Sequence, residues 1–215
     1  MNFFDYLQAN WPRLLDLTIQ HAVLVLVSVG IATPIGVALS VATYRTETPR
    51  KLVLAVAGVF LTIPSFALFG LLIAPLGLGY PPAVVALVMY GLLPIIRNTI
   101  TGLRGVDPAI TESALGMGMG RWRRLLRIEL PLAWPVIIAG IRVATLINVG
   151  IAAIAAYVGG PGLGAQIFSG LSRIGFPVAV NLALSGTLGI VVIAIVLDAT
   201  YVVLGRLTTA RGIHA

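Results

Sequence analysis

The chain contains no cysteine, which excludes disulfide frameworks and thiolate metal sites. Its two histidines, His21 and His214, are isolated and give no metal cluster. Charge is scarce: 10% of 215 residues are Asp, Glu, Lys or Arg, too few to coat a soluble domain of this length. Acids are the rarer sign, seven against fourteen bases, and no paired carboxylates fall in a plausible cleft. No nucleophile–base set is visible. A phosphate loop is also missing, because G-G-P-G-L-G at Gly159–Gly164 lacks the Gly-Lys-Ser/Thr ending. No cleavable signal peptide is expected, since Met1-Asn2-Phe3-Phe4-Asp5 offers no basic region ahead of an apolar core.

What the chain has is apolar length. Hydrophobic residues make up 59% of it and mean hydropathy is +1.04, in runs that point to several membrane spans instead of one large core. Five segments can be drawn, 22–43, 52–74, 82–96, 132–158 and 178–204. The first covers about 33 Å against a hydrocarbon core of roughly 30 Å. The third covers only about 22 Å and needs local thinning or polar-flanked ends. Pro64 breaks the second. In the first, Ala32, Gly36 and Ser40 recur at four-residue spacing, either a helix-packing seam or a chance recurrence in a chain rich in small residues.

The net charge of +7 is not spread like a nucleic-acid footprint. Arg45, Arg50 and Lys51 fall in one connection, and Arg97, Arg104, Arg121, Arg123, Arg124 and Arg127 in another. Arg206 and Arg211 fall in the tail, while the alternate segments hold only Arg13 and Arg173. That is the positive-inside pattern. It predicts an all-α integral membrane protein of five transmembrane helices, N-terminus outside and C-terminus cytoplasmic, in a single domain over 1–215. Residues 1–21 are expected as an outer-surface interfacial helix, with Phe3, Phe4, Tyr6, Leu7, Trp11, Leu14 and Leu15 as its lipid-facing stripe.

Asp107 to Pro131 fits no span. Asp107-Pro108 is a helix start, with a carboxylate at the N-cap and a proline where its missing N–H costs nothing. Ala109, Ser113, Ala114 and Gly116 make a slim helix able to enter a groove, while Ile110, Leu115 and Met117 supply apolar contact. Gly118 is placed for a terminating turn. A membrane-surface helix should be basic, yet 107–118 carries Asp107 and Glu112 with no Lys or Arg, which favours docking to a protein. Residues 121–129 differ. Trp122, Leu125 and Leu126 share one face among four arginines, which suits a basic amphipathic helix on anionic headgroups or on protein.

Glu112-Ser113-Ala114, then Gly118 after three residues, Ile128 after nine more, and Leu130-Pro131 together resemble a known loop. It is E-A-A-x3-G-x9-I-x-L-P, from the membrane subunits of bacterial ABC importers. Only Ser113 departs, and it is small enough to pack as Ala does. L-T-I-P-S-F-A-L (Leu61–Leu68), L-G-L-G-Y-P-P-A-V-V-A-L (Leu76–Leu87), L-L-P-I-I-R-N-T (Leu92–Thr99) and G-G-P-G-L-G are similar to one branch, the permeases for glycine betaine, choline and carnitine. The resemblance implies a type I importer permease fold in the bacterial inner membrane, with 107–130 as a cytoplasmic coupling segment. Glu112, Ser113, Ala114, Leu115, Gly116 and Gly118 would seat in a groove of an ATPase subunit. The implied partners are two ATPase subunits, a second permease subunit (identical or paralogous), an extracytoplasmic solute-binding protein and the lipid bilayer, with no nucleic acid. ATP and magnesium would bind the ATPase subunits, so neither cofactor nor catalysis is expected in this chain. A permease for another compact solute stays open. So does an ion-coupled secondary transporter, which would favour inverted repeats and intramembrane acids, neither visible beyond Asp198.

Pro64 frees a carbonyl that protein or a water-filled cavity must satisfy. Ser65, Phe66 and Phe69 would then line a solute path, unless the break is a packing kink. Tyr90 and Asn148, placed mid-span, line that path or hydrogen-bond between helices. Tyr157 and the Gly159–Gly164 turn fall near the outer face as a gate or a structural turn. Helical arithmetic puts Arg142 and Asp198 at one depth near the inner edge, where they are expected to form an ion pair.

Overall fold

The computed structural model describes residues 2–208; Arg211 and His214 lie outside them. Among the described residues every regular element is helical. In chain order these are α1 (Phe3–Thr43), α2 (Glu47–Thr62), α3 (Ser65–Leu76), α4 (Tyr80–Arg104), α5 (Pro108–Gly116) and α6 (Arg121–Arg124). A π turn (Leu125–Glu129), α7 (Leu130–Ala152), a 3-10 turn (Ile154–Val158), α8 (Gly164–Leu171) and α9 (Val178–Thr208) follow. Four helical runs are long and apolar enough to cross a membrane: α1, α4, α6 through α7, and α9. The pair α2–α3, bent by 98° at Pro64, makes a fifth if read as one broken span.

Several boundaries differ from those drawn on the sequence, among them the end of the 132–158 segment, where α7 stops at Ala152 and a 3-10 turn follows. The helix expected over 1–21 is not separate from the first span in the described residues. Asn2 opens α1 with a capping box, its Oδ1 accepting from the Asp5 N–H at 2.8 Å, and the helix then runs unbroken for 41 residues. Pro12 and Pro34 lie inside it without ending it. Tyr6 and Leu14, expected to face lipid, are buried against protein. Helix α4 has 25 residues, about 37 Å, not the short span over 82–96. The helix outlasts its apolar run, because the exposed Arg97 and Arg104 continue it with heads outside the core. Residues 121–129 are no separate surface helix either: α6, the π turn and α7 are continuous, and Arg124 and Leu125 are buried.

The register of close contacts gives the helix directions. A Cβ placed on Gly36 would lie 2.7 Å from Ile95 Cγ2, and Ser40 Oγ donates to the Ile96 carbonyl at 3.2 Å. The Ala32–Gly36–Ser40 stripe is therefore the seam between α1 and α4, which run in parallel. Against α7 the order reverses. Asn148 Nδ2 donates to the Leu87 carbonyl at 3.0 Å, Gly140 sits on Asn98 and Pro94, and Gly102 on Ala133. On α9, Trp134 Nε1 donates to Thr208 Oγ1 and Arg142 pairs with Asp198, so α7 and α9 are antiparallel.

One consequence is that Tyr44, Arg104, Glu129 and Thr208 share one end of the bundle, with α5 and α6. Arg45, Arg50, Lys51, Arg97, Arg121, Arg123 and Arg127 all lie at or near that end. The Gly159–Gly164 turn lies at the other, where the Gly79 N–H donates to the Val158 carbonyl at 2.8 Å. Between the ends the outer surface stays apolar, with Val23, Leu26 and Ile31 on α1 and Val191, Val192 and Ile195 on α9 exposed. A soluble protein does not carry so continuous an apolar belt.

Candidate functional site

The sequence of α5 fixes both of its ends. Asp107 Oδ1 accepts from the Ala109 N–H at 2.8 Å, and Pro108 fills the first helical position. At the other end Gly118 takes φ +75°, the left-handed conformation that only glycine adopts freely. The Met119 N–H then donates to the Ala114 carbonyl at 3.0 Å and the Gly118 N–H to that of Leu115 at 2.9 Å. Those two bonds make a Schellman motif. Ser113 Oγ donates to the Ala109 carbonyl at 2.8 Å, so its polar head is spent on its own helix and the face stays slim.

Only Ala114 of α5 is buried; Glu112, Ser113, Leu115, Gly116 and Gly118 are exposed. Ile110, Leu115 and Met117 are 42%, 55% and 71% exposed, apolar side chains that nothing among the described residues covers. Glu112 has no ionic partner among the described residues. The helix therefore projects from the basic end as a ridge shaped for another surface.

Behind it lies a polar cluster that sequence reasoning missed. Glu129, in the π turn, is 3% exposed at its side chain. Its Oε1 accepts from Arg124 Nε and from Arg45, each at 2.8 Å, and its Oε2 accepts from the Tyr44 hydroxyl at 2.5 Å. Arg45 Nε also donates to the Tyr44 oxygen at 2.6 Å. Arg124 and Glu129 are five residues apart, which on an α-helix would put them about 140° apart. The wider π turn is what brings them together. A signal existed in the sequence: Glu129 is the sole acid between Glu112 and Asp198.

The path candidates divide into two groups. Phe69, Tyr90 and Asn148 are sealed inside the chain, at 0%, 2% and 0% exposure. The Tyr90 hydroxyl donates to the Ile63 carbonyl at 2.8 Å, satisfying backbone left open by the break at Pro64. Ser65, by contrast, is part-exposed, and Phe66 and Tyr157 are exposed. Their rings meet edge to face at a centroid distance of 5.2 Å, with Phe168 of α8 at 6.2 Å from Phe66. We predict that Tyr90→Phe, which leaves the Ile63 carbonyl unpaired, lowers stability by about 1–2 kcal/mol. Thermal unfolding in detergent checks this, and an unchanged midpoint would contradict it.

Arg142 and Asp198 meet as a two-bond pair, Nε to Oδ1 at 2.5 Å and the second nitrogen to Oδ2 at 2.7 Å. Next to them Thr145 Oγ1 donates to the Tyr201 hydroxyl at 3.0 Å, a second polar bridge between α7 and α9.

Comparison with known proteins agrees with this architecture. The sequence profile described as binding-protein-dependent transport system inner membrane component matches residues 18–209. The osmoprotectant import permease protein OsmW of Salmonella typhimurium is 42% identical over 220 residues, covering 100% of both chains. The glycine betaine/carnitine/choline transport system permease protein OpuCB of Bacillus subtilis is 36% identical, covering 97% of this chain and 94% of its own. Among solved structures, a chain of the MetNI methionine ABC transporter in an inward-facing conformation superposes with a TM-score of 0.80. It is 21% identical, covering 92% of this chain and 96% of that one, and so supports the fold alone. The chain belongs to the inner membrane components of binding-protein-dependent transport systems, as a multi-pass permease subunit.

Proposed function

We propose that this chain imports a quaternary-amine osmoprotectant, of the glycine betaine, choline and carnitine class, driven by separate ATPase subunits that dock on α5. The observation that carries the coupling half is α5 itself: capped at both ends, almost wholly exposed, and bearing exposed apolar side chains and a Glu112 with no ionic partner among the described residues. The solute class rests on the functions of the relatives that the chain matches over most or all of their length. Two ATPase subunits hold ATP and magnesium and perform the hydrolysis. A second permease completes the path, and an extracytoplasmic protein delivers the solute. The arginines gathered at the α5 end support a cytoplasmic position for that end, with the N-terminus outside. Ser65, Phe66 and Tyr157 line the path, and Phe69, Tyr90 and Asn148 support it from behind. Glu112, Ser113, Ala114, Leu115, Gly116 and Gly118 form the docking surface.

An ion-coupled secondary transporter gains no support, because Asp198, the acid in α9, is held by Arg142. The test is reconstitution in liposomes with the ATPase and the binding protein. Glu112→Lys is expected to reduce solute-stimulated ATP hydrolysis about tenfold or more, the range of a typical coupling energy. Wild-type stimulation in that variant would overturn the docking surface.

A further inference from the structure

The buried carboxylate of Glu129 has no part in docking or in the solute path, yet it is the most heavily bonded side chain at the basic end. We propose that Glu129 is a positioning residue that passes displacement of α5 into α1, a role that presupposes α5 as the ATPase-docking helix.

Because Ala114 is its only buried residue, α5 has almost no lateral purchase on the bundle. Force on it leaves through its two chain connections. One leads back through Gly105 and Val106 into α4, already fixed between α1 and α7. The other leads forward through Gly118 and Gly120 into α6. The first buried ionic anchor along that forward exit is the Arg124–Glu129 pair, with side chains 9% and 3% exposed. From there Glu129 reaches across to Tyr44 and Arg45, where α1 ends. Arg50, at the start of α2, donates to the Tyr44 carbonyl at 3.4 Å and ties the next helix to the same point.

Holding the helix ends together does not require a charge. Apolar residues of similar volume would pack such a site at least as stably. A carboxylate shared by two guanidiniums and a phenol gives direction, and it gives two discrete arrangements instead of a continuum. The burial of the partners is uneven. Arg124 is enclosed, whereas the Arg45 side chain is 33% exposed. When the α6–α7 junction moves, Glu129 therefore travels with Arg124 and makes or breaks its bonds to α1. The π turn suits this movement, because single π turns inside α-helices mark functional sites.

The experiment uses the full complex in liposomes, with labelled glycine betaine as probe, and measures uptake and ATP hydrolysis on the same vesicles. Glu129→Gln keeps the shape and removes the charge. It is expected to leave hydrolysis within about twofold of wild type while uptake per ATP falls about tenfold. Tyr44→Phe removes a donor on the α1 side only and is expected to shift the same ratio in the same direction by less. If uptake and hydrolysis fall in parallel with a lowered thermal midpoint in both variants, the cluster is structural only and the proposal is overturned. Wild-type uptake per ATP in both variants overturns it equally. Where Glu129→Gln fails to assemble, the ratio in Tyr44→Phe decides. Glu112→Lys, run alongside, separates the two readings: wild-type behaviour there removes the docking assignment, whatever Glu129→Gln does.

Discussion

Gly140→Leu is expected to yield no stably folded protein. A Cβ at this position would lie 2.5 Å from Asn98 Cβ and 2.9 Å from the Pro94 carbonyl oxygen, closer than real carbon atoms approach. The second of these contacts is backbone, so no rotamer change relieves it. The clash falls where α7 crosses α4, the helix packed between α1 and α7. Overpacking of this kind costs about 1–3 kcal/mol where side chains can shift, and more where they cannot. Gly140→Ala adds only the clashing carbon and is expected to lower the thermal midpoint measurably. Gly150→Leu, on the same helix with nothing within 4 Å, is the matched control and should change little. Detergent gel filtration and thermal scans of the three variants check the series. A folded, monodisperse Gly140→Leu would mean that α4 and α7 do not approach as described.

Removing half of the Arg142–Asp198 pair should do more damage than removing all of it. Asp198→Leu strands a guanidinium between two membrane helices, and Arg142→Leu strands a carboxylate; either charge then has to find water or a new partner. The double variant Arg142→Leu/Asp198→Leu leaves no charge to satisfy. We expect each single variant to reduce the yield of folded complex several-fold and the double variant to recover most of it. The measurement is folded yield from matched membrane preparations, followed by uptake in liposomes. A double variant as damaged as the singles would show that the pair does more than neutralise itself. Loss of uptake alone in a well-folded double variant would revive an ion-carrying role for Asp198.

Much of the segment from Asp107 to Gly118 was legible because its signals are local. Asp107-Pro108 and Gly118 act within one turn of themselves, and the structure places the ends of α5 where those residues put them. The break at Pro64 was also visible, since it follows from the chemistry of one residue, whereas the Ala32–Gly36–Ser40 spacing alone left seam and chance recurrence open. Helix extents were less legible. An apolar run marks what lies in hydrocarbon, whereas a helix continues as long as its backbone bonds are satisfied, so α1 and α4 outrun their runs. The short α8 carried too few residues for a periodic pattern. Glu129 stayed hidden for a different reason. Its partners come from Tyr44 and Arg45, some 85 residues away, and from Arg124 through a π turn that no helical period anticipates.

The capped ends of α5 also decide what its partner does not have to do. A free helix of nine residues in water is mostly unwound, since isolated helices shorter than about 12–15 residues are marginal. Fixing a backbone residue costs about 1–2 kcal/mol of conformational entropy. Here the Asp107 cap and the glycine turn supply that order while the chain folds, so the ridge arrives already wound. On the proposed docking, a receiving groove would be spared the task of folding it, and the contact could stay shallow. A shallow, pre-ordered contact is one that can be made and released in every turnover without unravelling in between.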